Sequence, residues 1–252
     1  MPPSLVLDSK TRSAVVARRA TDLPGPTEVE DSAATQVRQV PSACARPDSW
    51  PYAVSKRILD IVLSAAALVV AAPIMALIAL AIRLESKGPA IFGQVRLGKQ
   101  GTFFRCYKFR TMRDGAQSEL LADPKLRRVY EENNFKIPAH LDPRVTRLGH
   151  FLRKSSLDEL PQLLNVIGGS MSLVGPRPIV PDELKWYDGE ADLFLSVRPG
   201  ITGAWQVSGR NRIRYPERAQ VELEAIRNGS LVRDLKVLAA TVPTVLSRRG
   251  SL

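Results

Sequence analysis

Ile58-Leu59-Asp60-Ile61-Val62-Leu63-Ser64-Ala65-Ala66-Ala67-Leu68-Val69-Val70-Ala71-Ala72-Pro73-Ile74-Met75-Ala76-Leu77-Ile78-Ala79-Leu80-Ala81-Ile82 is a run of 25 residues with a single charge, Asp60. As a straight helix it would extend about 37 Å. The hydrocarbon core of a bilayer is ~30 Å thick, so a full span is possible. Two features oppose a simple span. Pro73 removes a backbone donor inside the run, which bends or breaks a helix. Both flanks are also basic, with Arg46, Lys56 and Arg57 before the run and Arg83 and Lys87 after it. A spanning helix shows a Lys/Arg difference between its two sides. A helix that enters, turns at Pro73 and leaves on the same side satisfies both observations. Its first arm, residues 58–72, would be roughly 22 Å long, too short to cross. The residues alone leave hairpin and span both open. A buried soluble helix is a third reading, disfavoured because such helices rarely run this long without charge.

Upstream, residues 1–48 mix Pro, Ser, Thr, Ala and charges without periodicity, which predicts a disordered tail. Arg18 and Arg19 interrupt its one weakly apolar patch, and no apolar core of about 7–15 residues stands near the start, so no cleaved signal peptide is expected. The whole chain carries 36 Lys+Arg against 25 Asp+Glu, a net charge of +11 and a pI near 10. That balance favours anionic partners. An aromatic content of 6% is thin for a surface that stacks bases, which argues against nucleic acid. Two cysteines, Cys44 and Cys106, offer no disulfide framework, and two histidines, His140 and His150, make a zinc site of His and Cys unfavourable.

Downstream, residues 88–113 read as short strands and turns. Ala90-Ile91-Phe92 and residues 102–109 are β-branched and aromatic, with Gly98-Lys99-Gln100-Gly101 as a turn between them. Alternation puts Lys108 and Arg110 on one face, either a solvated basic edge or a rim for phosphate. Residues 115–136 predict two charged helices, the second starting at Pro124. Both faces read as polar, the mark of a surface excursion. Asp142-Pro143-Arg144-Val145-Thr146 is a turn, and Leu148, Phe151 and Leu152 then form an apolar helical stripe.

That stripe leads to Ser155-Ser156-Leu157-Asp158-Glu159-Leu160-Pro161-Gln162. Ser156 and Glu159 have the spacing of a capping box, and Pro161 is tolerated only in a first turn. Asp158 and Glu159 are then either helix caps, worth about 1 kcal/mol, or chemistry. The surroundings favour chemistry. Arg153 and Lys154 stand immediately before the pair, and Gly175-Pro176-Arg177-Pro178 holds a guanidinium on a stiff loop, a planar fork suited to phosphate. Arg198-Pro199-Gly200 and Gly209-Arg210-Asn211 repeat the device. Adjacent carboxylates beside arginines can hold Mg²⁺ together with phosphate oxygens, and a carboxylate can serve as a nucleophile toward phosphorus. The residues thus point to metal-assisted phosphoryl chemistry at a membrane surface, with the substrate open.

Taken in order, the proline-bearing apolar segment, Arg105-Cys106-Tyr107-Lys108-Phe109-Arg110-Thr111-Met112, Asp142-Pro143-Arg144-Val145-Thr146-Arg147-Leu148-Gly149, Ser156-Leu157-Asp158-Glu159-Leu160-Pro161-Gln162, residues 171–178, Pro199-Gly200-Ile201-Thr202-Gly203 and Trp205-Gln206-Val207-Ser208-Gly209-Arg210-Asn211 resemble the bacterial sugar transferase family. These are the monotopic polyprenyl-phosphate phosphoglycosyl transferases, and the resemblance covers roughly four-fifths of the chain. It implies that Asp158 attacks the sugar-bearing phosphate of a UDP-sugar and releases UMP. Undecaprenyl phosphate then takes the phosphosugar from the aspartyl intermediate. Glu159 is implied as acid/base or Mg²⁺ ligand, and Arg153, Arg177 and Arg210 as phosphate or nucleotide contacts. The Trp205–Arg210 variant is similar to exopolysaccharide-initiating members, which favour UDP-galactose or UDP-glucose. Some members have Ser before the membrane proline where this chain has Ala72.

The expected architecture is α+β and mostly helical. It has a tail over 1–48, a membrane-associated re-entrant helix kinked at Pro73 over 49–87, and a catalytic domain with short strands over 88–252 on the cytoplasmic face of the inner membrane. A C-terminal amphipathic helix over residues 231–246, interrupted near Pro243 and ending at Arg248-Arg249, either lies in the interface or packs on the domain. Two rivals stand: a membrane-anchored Mg²⁺-dependent hydrolase of nucleotide-sugars or lipid diphosphates, and a basic membrane-tethered nucleic-acid or lipid-binding protein.

Overall fold

The computed structural model describes residues 50–132, 137, 142–209 and 212–246. The tail, Cys44, Lys136, His140, Arg210, Asn211 and Arg248-Arg249 lie outside them. The described part is mostly helical with four short strands, an α+β arrangement.

Helix α1 (Trp50–Glu85) contains the whole apolar run, with Pro73 in its interior, and is one uninterrupted helical element rather than two. One stripe of it is buried or half-buried at helical spacing: Asp60, Ser64, Leu68, Ala71, Met75, Ile78 and Ile82. The opposite face is apolar and open, with Val69 and Val70 75% and 81% exposed. The helix is long and apolar enough to cross a membrane.

Strands β1 (Ile91–Leu97) and β2 (Phe103–Phe109) form an antiparallel hairpin, longer on its first arm than the sequence suggests. The expected turn closes it as a single 3-10 turn over Lys99–Gly101. In the ladder Phe92 opposes Lys108, Gln94 opposes Cys106 and Arg96 opposes Phe104. Opposed residues share a face, so Arg96, Cys106 and Lys108 project together.

Helices α2 (Ala116–Ala122) and α3 (Pro124–Glu132) follow, the second beginning at Pro124 as expected. The expectation that both faces are polar is corrected. Leu120, Leu126 and Ile137, with Val129 against them, close into a small core of their own. Three apolar side chains on the two helices and Ile137 beyond them suffice for this, and the many charges around them hide the stripe.

Helix α4 (Arg147–Ser155) starts at Thr146, whose Oγ1 accepts from Gly149 N–H at 2.9 Å. A Cβ on Gly149 would stand 2.1 Å from the Thr111 carbonyl, so only glycine lets α4 lie against the end of the hairpin. Of the expected stripe, Leu152 is fully buried and Phe151 is exposed. The expected capping box is absent: Ser156 adopts φ 58°, ψ 15° and terminates α4, its N–H donating back to Arg153 and Leu152 carbonyls. A 3-10 turn (Leu157–Glu159) then leads into the short α5 (Gln162–Ile167), with Pro161 just before it.

Strand β3 (Ser172–Val174) pairs in parallel with β4 (Gly200–Thr202). Between them lie the Gly175–Pro178 loop, a 3-10 segment (Pro181–Tyr187) and α6 (Ala191–Leu195). Helices α7 (Ala204–Ser208), α8 (Glu217–Arg227) and α9 (Leu231–Leu246) complete the chain, and α9 runs through Pro243 without the expected interruption.

The two halves of α1 are fastened differently. In the first half, Asp60 Oδ1 accepts from Leu173 N–H of β3 at 3.0 Å, which explains the one charge in the apolar run. Lys56 Nζ donates to the Val174 carbonyl (2.9 Å) and to Asp234 of α9 (2.8 Å). Arg57 donates to the Val166 and Ile167 carbonyls at the end of α5 (2.6 and 2.9 Å), satisfying groups a helix terminus leaves open. In the second half, Ile78 and Ile82 pack with Ala90, Phe109 and Leu152, and Leu157 and Leu160 join from either side of the Asp158-Glu159 pair. Burying each such isoleucine contributes ~1.5–3 kcal/mol.

Candidate active site

The 3-10 turn carries Asp158 and Glu159 between α4 and α5, pinned below by Leu157 and Leu160. Asp158 is 9% exposed. Burial pushes its carboxyl up to about 6, and the neighbouring Glu159 adds to that, against the cationic fields of Lys108 and Arg153. Glu159 faces the opening, its Oε1 accepting from Lys108 Nζ at 2.7 Å. Lys108 arrives from β2 and Arg153 from α4, where Arg153 Nε donates to Thr111 Oγ1 at 2.9 Å. Burial pushes the Arg153 guanidinium down, with Asp158 and Asp142 opposing.

Beside this pair lies a small cleft lined by Arg96, Cys106, Lys108, Glu159, Arg177 and Gln206, among others. Arg177 reaches it from the Gly175–Pro178 loop, its guanidinium carbon 5.8 Å from the centre of the Trp205 ring. The loop is held from behind. Glu222 Oε1 accepts from Arg177 N–H at 3.0 Å, and the same carboxylate accepts from the Tyr187 hydroxyl. Arg218, between the Trp205 and Tyr215 rings at 4.4 and 4.7 Å, neutralises Glu222. Three cationic heads thus share a cleft with one carboxylate, a surplus suited to a phosphorylated ligand. Burial pushes the Cys106 thiol up, so it stays protonated and is no rival nucleophile at neutral pH.

The structure therefore gathers Asp158, Glu159, Arg153, Lys108 and Arg177. Arg110 sits elsewhere: its guanidinium donates to the Lys87 and Ser86 carbonyls (the latter 2.7 Å) at the end of α1. It shares the parity of Lys108, but β2 has ended at Phe109 and the chain turns toward α1. Arg198, the second stiff-loop arginine, donates to the Gly169 carbonyl at 2.8 Å. Pro73 lies within α1, and Arg210 is outside the described residues. Sequence reading missed Arg96, Gln206 and Glu222. Only Arg96 left a signal, the alternation that pairs its strand face with Lys108.

As a metal site the donor set is two adjacent carboxylates. Among the described residues no third His, Cys, Asp or Glu joins them. Hard oxygen donors on one side, with the remaining positions left for water and phosphate, is how Mg²⁺ is usually held. The Lys108 ammonium already takes a cation's place against Glu159. The residues fit Mg²⁺ in that sense.

A family model described as bacterial sugar transferase matches residues 51–248. An undecaprenyl-phosphate galactose phosphotransferase of Salmonella typhimurium is 46% identical over 199 residues, 78% of this chain and 41% of that protein. The exopolysaccharide production protein ExoY of Sinorhizobium fredii is 43% identical, with 79% of this chain and 88% of the relative covered. A UDP-glucose:undecaprenyl-phosphate glucose-1-phosphate transferase of Caulobacter vibrioides is 40% identical over 76% of this chain and 70% of its own length. The chain spans about two-fifths of the length of the Salmonella protein and of an uncharacterized sugar transferase of Haemophilus influenzae.

Proposed function

Since the chain belongs to the bacterial sugar transferase family, we propose that it transfers a sugar 1-phosphate from a UDP-sugar, galactose or glucose being the favoured sugars, to undecaprenyl phosphate, with release of UMP, as a first step of exopolysaccharide or related glycan synthesis. The observation that carries this reading is Asp158: a buried carboxylate poised near neutrality beside Lys108, Arg153 and an arginine-lined cleft.

The Asp158 carboxylate attacks the sugar-bearing phosphorus. A bond forms from its oxygen to phosphorus, the diphosphate P–O bond breaks, and UMP leaves with that electron pair. An oxygen of undecaprenyl phosphate then attacks the same phosphorus and returns the carboxylate. One phosphoanhydride replaces another, so positioning and charge neutralisation are the main catalytic needs. Arg177 and Lys108 orient and neutralise the diphosphate, Arg153 keeps Asp158 ionised, and Glu159 stands as acid/base for the departing UMP phosphate and the entering lipid phosphate. Mg²⁺ held by Asp158 and Glu159 would supply further charge neutralisation at the diphosphate.

The acceptor is a lipid, so the site must sit at a membrane. The open apolar face of α1 and its two docked ends support a re-entrant path that bends at Pro73 on the cytoplasmic face of the inner membrane. There Pro73 leaves the Val69 carbonyl without a helical donor, a group that must find a partner in lipid.

The test is UMP release in detergent with Mg²⁺, undecaprenyl phosphate and a panel of UDP-sugars. Release that depends on lipid phosphate, favours one sugar and vanishes in Asp158→Asn is the expected result. UMP formed without lipid phosphate, with free sugar phosphate as product, would point to the hydrolase instead. Full activity in Asp158→Asn would overturn the nucleophile.

A further inference from the structure

A second cavity, about 280 Å³, shares no lining residue with the cleft: it is lined by Gly175 and Pro176 of the loop whose Arg177 and Pro178 line the cleft. The first turns of α1, strand β3 and helices α8 and α9 enclose it. Its walls are largely apolar, with Val174, Pro176, Ile226 and Val237 among them. The acids that reach it are satisfied within the protein. Asp60 takes Leu173 N–H, Glu222 takes Arg177 N–H and Tyr187, and Asp234 takes Lys56 and Tyr52. The cations Lys99, Arg233 and Lys236 also line it, and none has an ion-pair partner among the described residues. The cavity is thus apolar inside and carries uncompensated positive charge. It lies against α9, whose outward stripe is apolar, with Val232, Leu235 and Val242 62%, 50% and 59% exposed. By helical spacing Lys236 and Arg233 lie between that stripe and the cavity-facing Val237.

We propose that this cavity takes the headgroup of an anionic phospholipid, its phosphate set against Arg233, Lys236 and Lys99 and its acyl chains along the α9 stripe. Charge complementarity selects the anion. A volume at the lower end of ligand pockets suits a headgroup rather than a whole lipid. The adjoining apolar stripe selects a lipid over a free phosphate.

The inference rests on the membrane placement of α1, which sedimentation of the full chain with phosphatidylcholine vesicles tests separately. Native mass spectrometry of the full chain in detergent then reads the occupant. One phosphatidylglycerol per chain is expected to be retained at a concentration on the order of tenfold lower than phosphatidylcholine. Arg233→Gln with Lys236→Gln, both on the surface of α9, should abolish that preference. Ala225→Phe, which intrudes on the cavity wall, should abolish retention while UMP release persists. Chain that sediments with phosphatidylcholine vesicles yet retains both lipids equally would overturn the headgroup site and leave the membrane reading standing. So would glycerol 3-phosphate or inorganic phosphate binding as tightly as the lipid, or displacement of phosphatidylglycerol by one equivalent of undecaprenyl phosphate.

Discussion

Two acidic turns flank α4, and they solve the same problem in opposite ways. Asp142 and Asp158 are 3% and 9% exposed. Asp142 is fully paired: its two oxygens accept from Arg144 Nε and Nη2, both at 2.8 Å, and Oδ1 also takes Arg144 N–H. Burial pushes that carboxyl up, but the Arg144 contacts outweigh it and hold it below the usual carboxylate range. Asp158 has no such fork, and burial wins. Arg153 influences both. Burial alone therefore does not raise a carboxyl group's pKa; burial with incomplete pairing does.

The largest expected break is in activity. Asp158→Asn should lower UMP release at least about a thousandfold, while leaving chemical denaturation at pH 7 unchanged or shifted toward greater stability. Asp142→Ala should do the reverse. It removes the carboxylate that neutralises the buried Arg144 guanidinium, a cost of up to about 3–5 kcal/mol, visible as a lower unfolding midpoint, with activity falling only as the folded fraction does. Equal stability losses in the two variants would erase the distinction.

pH sharpens it next. In the folded protein Asp158 holds its proton up to about pH 6, against 3.8 for an ordinary carboxylate. Through that window the folded state binds more protons than the unfolded state, so the contribution of Asp158 lowers stability as pH rises, by at most ~3 kcal/mol. Asp158→Asn should flatten that slope. The rate, which needs the ionised form, should rise through an acid limb near pH 6 in kcat/KM. A limb near 4 would mean that Asp158 is ordinary. Lys108→Met removes a cation that favours the ionised form, so it should move the limb to higher pH and cost about tenfold in rate; an unmoved limb would leave Lys108 as an anchor for Glu159 alone.

The smallest effect concerns the backbone. Ser156, just before the turn that carries Asp158 and Glu159, sits at φ 58°. A left-handed serine costs on the order of 1 kcal/mol or more, and Ser156→Gly should recover part of it in a thermal melt. No residue of the Asp142-Pro143-Arg144 turn has a positive φ.

Much of this was legible beforehand, and the exceptions share a cause. The apolar run, the hairpin, the helix starting at Pro124 and the bounds of α9 follow from periodicity and turn chemistry, which are local. The Asp158-Glu159 pair stood out because Arg153, Lys154 and the stiff Arg177 loop surround it, more basic residues than a helix cap needs. What failed needed the third dimension. Ser156 reads as a capping serine, yet α4 ends there because the chain must turn to bring Leu157 and Leu160 onto Ile78 and Ile82. Arg110 reads as a phosphate ligand, yet the end of α1 leaves carbonyls that need donors. Glu222 is distant in sequence from Arg177, and nothing local announces that it holds that loop.

Asn165 of α5 shows a different kind of foresight in the fold. Its side-chain amide accepts from Tyr107 N–H (2.9 Å) and donates to the Arg105 carbonyl (2.8 Å), two of the groups on β2 that a further strand would use. A two-stranded hairpin otherwise presents a bare edge, the usual template for strand addition between molecules. An amide thus takes the middle of that edge, where an incoming strand would have to pair.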